Sequence, residues 1–374
     1  MSNLDHTRDE LADVNTPLLH DHWYVVGYAD EFDEGLHERT FLDRSILLYR
    51  TEEGELVAMQ NRCAHRSFPL SHGWREGDDI RCRYHGAKYN ARGEMIEFPS
   101  IAKCPRISVH SYPVRVSGPL AWIWMGDPLK ADETKIPATP FLEREQGWAF
   151  VNGEYELGGN WLLMAENLMD LTHIPFLHES SFKIQRGYAE AGVKMEVKGD
   201  QLSYFRINPP NYQRAVFLLP EISEAIERAG FEARSEVLFI SPALTYGGGR
   251  FTLENPGPND PPVYQWNVIH FTTPISQNRT QYWYFFARNY AIDNVELDEK
   301  IKHLITVGFQ EDRYAIELVQ AMHDSDAHSY REVHFKSDAP GVTMRRIVAA
   351  MARREAAEQS DADQPQARPQ LVNA

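Results

Sequence analysis

Hydrophobic positions in the first third of the chain come in short runs with a strand-like spacing. Between Asp21 and Gly126 these runs are separated by clusters of Gly, Asp and Glu; they include WYVVGYA, SILLYR, ELVAMQN, ISVHSYPVRVSG and LAWIWMG. Runs of β-branched and aromatic residues of this length, bounded by turn residues, predict short β-strands. Their regular spacing indicates a small all-β sandwich or barrel.

The rest of the chain mixes strand and helix patterns. After a strand and a helix near Asn160–His173 come the β-rich runs MEVKGDQLSYFRI, ARSEVLFIS, YQWNVIHFTTP and TQYWYFFARNY. Loops are predicted at Asn208–Tyr212 and at the glycine run Gly247–Gly249. Apolar positions with a period near 3.6 predict a long helix from about Asp298 to Met322 and a further helix over Val342–Ala357.

The length of 374 residues is too great for one ordinary core, so two domains are expected. The Pro-rich, charged segment DPLKADETKIPATP is interpreted as their boundary. The domains are predicted to span residues 18–130 and 141–358. Residues 1–17 are predicted to form a loose polar arm, and the polar residues 359–374 a disordered tail.

Charge and cysteine content exclude several classes of protein. Acidic residues outnumber basic ones by 54 to 38, giving a net charge of -16, which argues against a nucleic-acid-binding surface. The sequence has neither an apolar run long enough for a membrane span nor the apolar segment of a secretory signal. Three cysteines argue against a disulfide framework and predict a cytoplasmic protein.

Two of the three cysteines lie close to histidines. Cys63 and His65 form a Cys-x-His pair, and after sixteen residues Cys82 and His85 form a Cys-x-x-His pair. Thiolates and imidazoles together indicate a transition-metal site. If one iron takes both thiolates and the other takes both imidazoles, the site is a Rieske [2Fe–2S] cluster. Gly86 would let the backbone approach the sulfides.

The alternative for these four residues is a structural Cys2His2 zinc site. Zinc ribbons usually pair like ligands, whereas both pairs in this sequence are mixed, which favours the cluster. His72 in the same segment is interpreted as a polar loop residue. Cys104 is interpreted as a free thiol in the core.

A second group of polar residues lies in the segment NWLLMAENLMDLTHIPFLH. The three-residue spacing of Asn167, Asp170 and His173 predicts that they share one side of a helix. Pro175 cannot continue that helix cleanly, so His178 is predicted to fold back toward His173. Two histidines and one carboxylate form a facial triad that leaves positions open on ferrous iron.

The pattern of the predicted long helix favours Asp312 as the carboxylate. Asp312 lies near the centre of an apolar face, whereas Glu311 lies at its edge and Glu317 on the opposite side; the face comprises Ile301, Ile305, Gly308, Ile316 and Val319. A buried carboxylate is unfavourable unless it is paired or bound to metal. The alternatives are a buried Asp312 that caps or pairs with Arg, and core histidines at positions 173 and 178.

Both motifs resemble those of Rieske non-haem iron oxygenases. The segment CRYHGAKYNARGEMIEFPS is similar to their second cluster loop, although Arg83 stands where proline is usual and Ala87 where tryptophan is common. Glu166–His178 resembles their mononuclear iron motif, and FQEDRYAIE the segment with the third ligand. The similarity extends from about Trp23 to about Gln320 and is greatest to single-subunit vanillate and dicamba O-demethylase oxygenases.

The resemblance implies a role for each motif residue. The implied ligands are Cys63, His65, Cys82 and His85 for the [2Fe–2S] cluster, and His173, His178 and Asp312 for mononuclear Fe(II). Asp170 matches a residue that links this iron to a Rieske histidine of the neighbouring subunit, and Asn167 matches a residue near the iron. His270 matches a position that contacts substrate in some members; its alternative is a polar residue within a strand.

The resemblance also implies an α+β fold and a particular assembly. The expected fold combines an all-β Rieske domain with a helix-grip catalytic domain, in which a curved antiparallel sheet surrounds a long C-terminal helix. The expected assembly is a homotrimer, in which electrons cross a subunit interface. Because the sequence has no GxGxxG dinucleotide fingerprint, electrons from NAD(P)H are expected to arrive through a separate ferredoxin and ferredoxin reductase.

The implied function is that of a terminal monooxygenase that uses O2 to remove an O- or N-alkyl group from a small aromatic compound. Its apolar pocket is predicted to draw on Met164, Ile240, Trp266, Trp283 and Phe285. One alternative is a cis-dihydroxylating dioxygenase of an aromatic acid, which would use the same ligands. The other is a Rieske electron carrier, which leaves the second metal motif unexplained.

Overall fold

The computed structural model describes residues 11–184, 186–190, 192–207, 219–326 and 332–362. The loop predicted at 208–212 lies outside these residues. None of the helices within these residues combines the length and the hydrophobicity of a transmembrane span.

The N-terminal part is built from short antiparallel strands, as their β-branched and aromatic runs predict. They form three sheets with the orders β1-β11-β10, β2-β3-β4-β9 and β5-β6-β7-β8. The strands are β1 (Trp23–Tyr28), β2 (His37–Phe41), β3 (Arg44–Arg50), β4 (Leu56–Gln60), β5 (Trp74–Glu76), β6 (Asp79–Arg81), β7 (Lys88–Tyr89), β8 (Met95–Glu97), β9 (Ser111–Tyr112), β10 (Val114–Ser117) and β11 (Leu120–Trp124).

The C-terminal part contains one large antiparallel sheet of seven strands in the order β12-β18-β17-β16-β15-β14-β13. Its strands are β12 (Ala149–Leu157), β13 (Val193–Lys198), β14 (Gln201–Ile207), β15 (Phe231–Ser241), β16 (Leu244–Leu253), β17 (Val263–Ser276) and β18 (Arg279–Arg288). The helices are α1 (Trp161–Met169), α2 (Ile174–Leu177), α3 (Pro220–Ala229), α4 (Val295–Asp326) and α5 (Ala339–Ala362).

The two faces of this sheet bury different partners because successive side chains of a strand point to opposite faces. On β18, Tyr282, Tyr284 and Phe286 point inward and share a core with Ile301 and Ile305 of α4. This arrangement of a sheet around a long helix confirms the predicted α+β, helix-grip fold. The predicted apolar face of the helix is wrong at one position, because the Val319 side chain is 45% exposed.

The outer face of the sheet packs against the N-terminal strands. Trp283 of β18 contacts Phe41 of β2, and Phe271 of β17 makes an edge-to-face contact with Trp122 of β11. These side chains belong to one continuous hydrophobic core. The two parts of the chain are therefore held together by packing across the predicted boundary, and the domain limits 18–130 and 141–358 stay a prediction.

The predictions for the chain ends need correction. The arm predicted over residues 1–17 is fixed at its described end, because Ala12 is 1% exposed and its N–H donates to the Arg345 carbonyl over 3.1 Å. Helix α5 continues to Ala362, four residues into the predicted tail. Its Glu355 side chain is buried and accepts hydrogen bonds from the His20 and Asp21 N–H groups, which ties this end of the helix to the core.

The loop predicted at the glycine run is also wrong, because all three glycines lie inside β16. A Cβ atom on Gly249 would lie 2.1 Å from the Trp266 ring, and one on Gly248 would lie 2.2 Å from the Trp266 carbonyl oxygen. The glycines are therefore needed for close packing against β17 and not for a turn.

Candidate metal centres

The first candidate centre lies at the tip of the N-terminal part, where two loops meet. Cys63 follows β4 and Cys82 joins β6 to β7, and each cysteine carbonyl accepts a hydrogen bond from the N–H four residues later, at 2.9 and 3.0 Å. Both thiols are buried in one small core. His65 and His85 are exposed, and their ring centroids lie 4.5 Å apart. The loops thus present two thiols inside and two imidazoles outside.

Gly86 allows the second loop its close turn. Its φ of +77° is a left-handed conformation that favours glycine. A Cβ atom there would lie 2.9 Å from Pro99 Cγ. Glycine is therefore required both by the backbone conformation and by the contact with Pro99.

Tyr89 is a residue of this centre that sequence reasoning missed. Its hydroxyl accepts a hydrogen bond from the Ala64 N–H at 3.0 Å and lies 3.3 Å from Cys63 Sγ. Burial raises the pKa of Tyr89, so the hydroxyl keeps its proton and can donate it to the sulfur. The signal available in the sequence was an aromatic residue with a hydroxyl in the second loop, CRYHGAKY.

Arg83 and Ala87, which depart from the usual pattern of Rieske oxygenases, lie beside the first candidate centre. Arg83 donates from Nε to the His72 carbonyl at 2.9 Å and lies over the Trp74 ring at 5.3 Å. Ala87 is fully buried. The thiol of Cys104 is half-buried and donates to the Met95 carbonyl at 3.3 Å.

The second candidate centre begins where α1 ends. Asn160 caps this helix, since its side chain accepts from the Leu162 N–H at 2.8 Å. The helix stops at Met169 because Asp170 is extended, with φ −117° and ψ 90°. A 3-10 turn over Leu171–His173 and the short helix α2 follow. The prediction of one continuous helix near 160–173 is therefore wrong, and the interruption turns His173 and His178 toward each other.

Three residues predicted to bind iron are brought together by α4. Asp312 of α4 places Oδ1 3.4 Å from His173 Nε2 and 3.2 Å from His178 Nε2. One donor atom from each residue lies within 4.8 Å of the others. Burial opposes ionisation of Asp312, but the hydrogen bond and positive charge of His178 outweigh it and lower the pKa of this carboxyl. Two imidazoles and an ionised carboxylate are the donor set of a 2-His-1-carboxylate iron site.

Each histidine is oriented by a different acceptor on its other ring nitrogen. His178 Nδ1 lies 2.7 Å from Glu311 Oε2, and the hydroxyls of Ser180 and Ser181 also donate to that carboxylate. His173 Nδ1 lies 2.5 Å from the Asp170 backbone carbonyl. In both rings this leaves Nε2 facing Asp312, as metal-binding histidines require.

Two further acidic residues, Asp170 and Glu311, lie close to these histidines. The Asp170 carboxylate does not orient His173; its Oδ1 accepts instead from the N–H and the hydroxyl of Thr172, at 2.8 and 2.6 Å. Glu311, placed at the helix edge by the sequence pattern, contacts a candidate ligand. Asn167 donates to Asp312 Oδ1 at 3.0 Å, which holds that carboxylate in place.

Comparison with known proteins identifies both parts of the chain. Residues 22–113 match the Rieske [2Fe-2S] domain, and residues 157–354 match the vanillate O-demethylase oxygenase C-terminal domain. The toluene-4-sulfonate monooxygenase system iron-sulfur subunit of Comamonas testosteroni is 33% identical over 306 residues, 79% of this chain and 86% of that protein. The chain belongs to the vanillate O-demethylase family of Rieske oxygenases.

Two further comparisons agree with this assignment. A vanillate O-demethylase oxygenase subunit of a Pseudomonas species is 30% identical over 355 residues, 91% of this chain and 96% of that protein. The crystal structure of dicamba monooxygenase bound to dicamba has the same fold, with a TM-score of 0.79, 23% identity, and coverage of 91% of this chain and 99% of that one.

Family membership establishes the cofactors of this Rieske oxygenase: a [2Fe–2S] cluster and a mononuclear non-haem iron. The chain is the oxygenase component of a multicomponent monooxygenase, and the relatives named above are likewise subunits of such enzymes.

The oxygenase has a cavity of about 170 Å³ beside Asp312, between α4 and the inner face of the sheet. Both candidate iron-binding histidines also line it. Most of its wall is apolar, and the lining side chains include Val237, Trp266, Val268, Phe286, Ile305 and Phe309. Among the predicted pocket residues only Trp266 lines this cavity; Met164, Ile240, Trp283 and Phe285 lie in or against the hydrophobic core.

His270 lines the same cavity from β17, so it is both a strand residue and a cavity residue. Its side chain is buried, and burial lowers the pKa of His270 to about 3. The imidazole is therefore neutral at physiological pH. Nδ1 of this ring lies 2.6 Å from the hydroxyl of Tyr282.

Proposed function

We propose that this oxygenase removes an O- or N-linked alkyl group from a small aromatic compound. The observation that carries the proposal is the apolar cavity in which His173, His178 and Asp312 form part of the wall. An aromatic ring bound there would place a substituent against the three ligands. The names of the vanillate and dicamba relatives support dealkylation as the reaction.

We assign His173, His178 and Asp312 as the ligands of the mononuclear iron, and Cys63, His65, Cys82 and His85 as those of the cluster. When bound, the mononuclear iron supplies activation of O2. The chain's own residues hold and shield that centre: Asn167 fixes Asp312, and Phe309 and Trp266 keep the substrate side of the cavity apolar. For a methyl ether the overall change consumes O2, two electrons and two protons, and yields the phenol, formaldehyde and water.

The electrons are proposed to come from NAD(P)H through a ferredoxin and a ferredoxin reductase. The exposed imidazoles of His65 and His85 give the cluster a surface position that suits contact with another protein. The three cysteines are all unpaired, which supports the cytoplasmic location proposed for such a system.

The assembly is proposed to be a homotrimer in which Asp170 faces the cluster of the adjacent subunit. Asp170 is half-buried, and its Oδ1 is occupied by Thr172. Within the described residues, Oδ2 has no hydrogen-bond donor and is left for a donor such as His85 of a second copy. The backbone carbonyl of the same residue orients His173, so one residue would contact both centres.

A substrate panel with the reconstituted electron-transfer proteins tests the proposed reaction. The panel contains aromatic methyl ethers, N-methyl aromatic compounds, toluene-4-sulfonate and benzoate, and each reaction is analysed for formaldehyde, benzylic alcohol and cis-diol. We expect formaldehyde from at least one alkylated compound, in proportion to the O2 consumed. A cis-diol as the sole product across the panel would assign ring dihydroxylation, and benzylic alcohol alone would assign methyl hydroxylation.

A further inference from the structure

His270 is a polar side chain in the wall of the cavity, and what it can bind depends on which ring nitrogen carries the proton. It lies on β17, one diagonal step from Tyr282 on β18, and both side chains are buried on the inner face of the sheet. Their rings are stacked at 6.0 Å with an interplanar angle of 24°. The ring of Phe309 packs edge-on against the imidazole at 5.5 Å. These contacts fix the plane of the His270 ring.

A neutral imidazole carries one proton, so one ring nitrogen donates and the other accepts. Nδ1 lies 2.6 Å from the Tyr282 hydroxyl. Nε2 has no hydrogen-bond partner within the described residues. The protein also does not enclose this atom completely. Because His270 lines the cavity, Nε2 is the ring atom open to a ligand.

The partner of Nδ1 decides which tautomer is present. Burial raises the pKa of Tyr282, so its hydroxyl keeps a proton that needs an acceptor. Within the described part of the chain the hydroxyl has one polar contact, which is His270 Nδ1. If Nδ1 carried the proton, the Tyr282 O–H would be left buried without an acceptor, which is costly. The favoured arrangement therefore has Tyr282 donating to Nδ1 and the imidazole proton on Nε2.

We propose that Tyr282 keeps His270 in the Nε2–H tautomer, so that the cavity selects aromatic substrates that present an oxygen acceptor to this N–H. An ether, carbonyl, carboxylate or sulfonate oxygen meets this requirement, whereas an ammonium or amino group would direct a donor against a donor. Tyr282 is a positioning residue in this scheme, since it acts through His270. The inference rests on the proposed function and narrows its substrate class.

Nitrogen NMR tests the tautomer without any substrate. The full-length protein is labelled with ¹⁵N-histidine, and Zn²⁺ replaces the mononuclear iron to avoid paramagnetic broadening. The His270 signals are assigned by their loss in His270→Gln. We expect the unprotonated nitrogen to be Nδ1 in the wild type and the share of the Nδ1–H form to rise in Tyr282→Phe. A proton on Nδ1 in the wild type would overturn the proposal.

Kinetics with an oxygen-bearing substrate from the panel test the selection. Tyr282→Phe should raise KM by up to about tenfold, the worth of one hydrogen bond, and change kcat less. Tyr284→Phe is the matched control, because that hydroxyl lies on the same strand face and bonds to Thr306 at 3.1 Å. Equal changes in both variants would overturn the selection, as would an unchanged KM in Tyr282→Phe. If no panel compound is turned over, the proposed function fails, but the NMR result still decides the tautomer.

Discussion

The two metal centres of this oxygenase differ in their exposure to solvent and in how far apart their proposed ligands lie in the sequence. The proposed cluster ligands come from two neighbouring loops, with Cys63 and Cys82 buried and the two histidines exposed. The proposed iron ligands come from the segment after helix α1 and from the distant helix α4, and His178 and Asp312 are almost fully buried. The exposed histidines of the cluster centre suit exchange of electrons with other proteins. The buried iron site, beside a mostly apolar cavity, suits oxygen chemistry that water would disturb.

The difference also lies in what orients each ligand. At the cluster, backbone turns and the Tyr89 hydroxyl position the cysteines. At the iron site, the Glu311 side chain of α4 orients His178, and the Asp170 carbonyl orients His173. Substitutions at the iron site should therefore affect retention of the mononuclear iron. Substitutions around the cluster should affect mainly the reduction potential of the cluster.

The largest effect is expected from Asp312→Ala. This variant should lose the mononuclear iron and all turnover, while the visible spectrum of the cluster stays unchanged, because the two centres share no ligand. Metal analysis and absorption spectra check this, with Glu317→Ala as the control, since Glu317 bonds to Arg313 on another side of α4. Loss of iron in Glu311→Ala but not in Asp312→Ala would show that the wrong carboxylate has been assigned.

Asp170→Asn should lower turnover by orders of magnitude and leave both metals bound. Asparagine keeps the shape and the backbone carbonyl that orients His173, but it removes the charge and one acceptor oxygen. Single-turnover kinetics of the chemically reduced protein measure the effect. Thr172→Val is the control, because it removes a donor to Oδ1 and keeps the carboxylate charge. Reoxidation of the cluster at the wild-type rate in Asp170→Asn would disprove the link.

Glu311→Gln should weaken iron binding by about ten- to hundredfold, the usual cost of altering a carboxylate that orients a metal-bound histidine. Titration of the iron-free protein with Fe(II) measures the dissociation constant, and exposed Glu299 of the same helix supplies the control Glu299→Gln. An affinity equal to that of the control would mean that His178 needs no carboxylate on Nδ1.

Tyr89→Phe should lower the reduction potential of the cluster by tens of millivolts, because a hydrogen bond to a ligand sulfur stabilises the reduced, more negative state. Redox titration followed by absorbance provides the measurement. Tyr49→Phe is the control, since Tyr49 lies in the same small core but donates to the Asp78 carbonyl. A rise in potential in Tyr89→Phe would contradict the assigned direction of this hydrogen bond.

The sequence predicted those features that depend on neighbouring residues. The short strands and the long helix are patterns within one segment, and the structure contains both of them. The Cys-x-His and Cys-x-x-His pairs also lie within single segments, and their assignment as cluster ligands stays a prediction. The break at Asp170 was not predictable from spacing, because it depends on the side chain capping the next turn through Thr172.

Features that depend on distant contacts also escaped prediction. The role of Glu311 arises because the chain after α2 brings Ser180 and His178 against α4. The glycine run predicts a loop when it is read alone, and only the packing of Trp266 against β16 shows that side chains are excluded there. Sequence periodicity reports which face is apolar, but it does not report which partner covers that face.

Mixed oligomers test most directly whether the two centres work across a subunit interface. Cys82→Ala removes the cluster and Asp312→Ala removes the iron, so each variant alone should be inactive. Co-expression with two different affinity tags allows isolation of oligomers that contain both, with cluster and iron content confirmed. We predict that these mixed oligomers regain turnover, because an intact iron site then faces an intact cluster of its neighbour. Mixed oligomers that hold both metals and remain inactive would contradict electron transfer across the subunit interface.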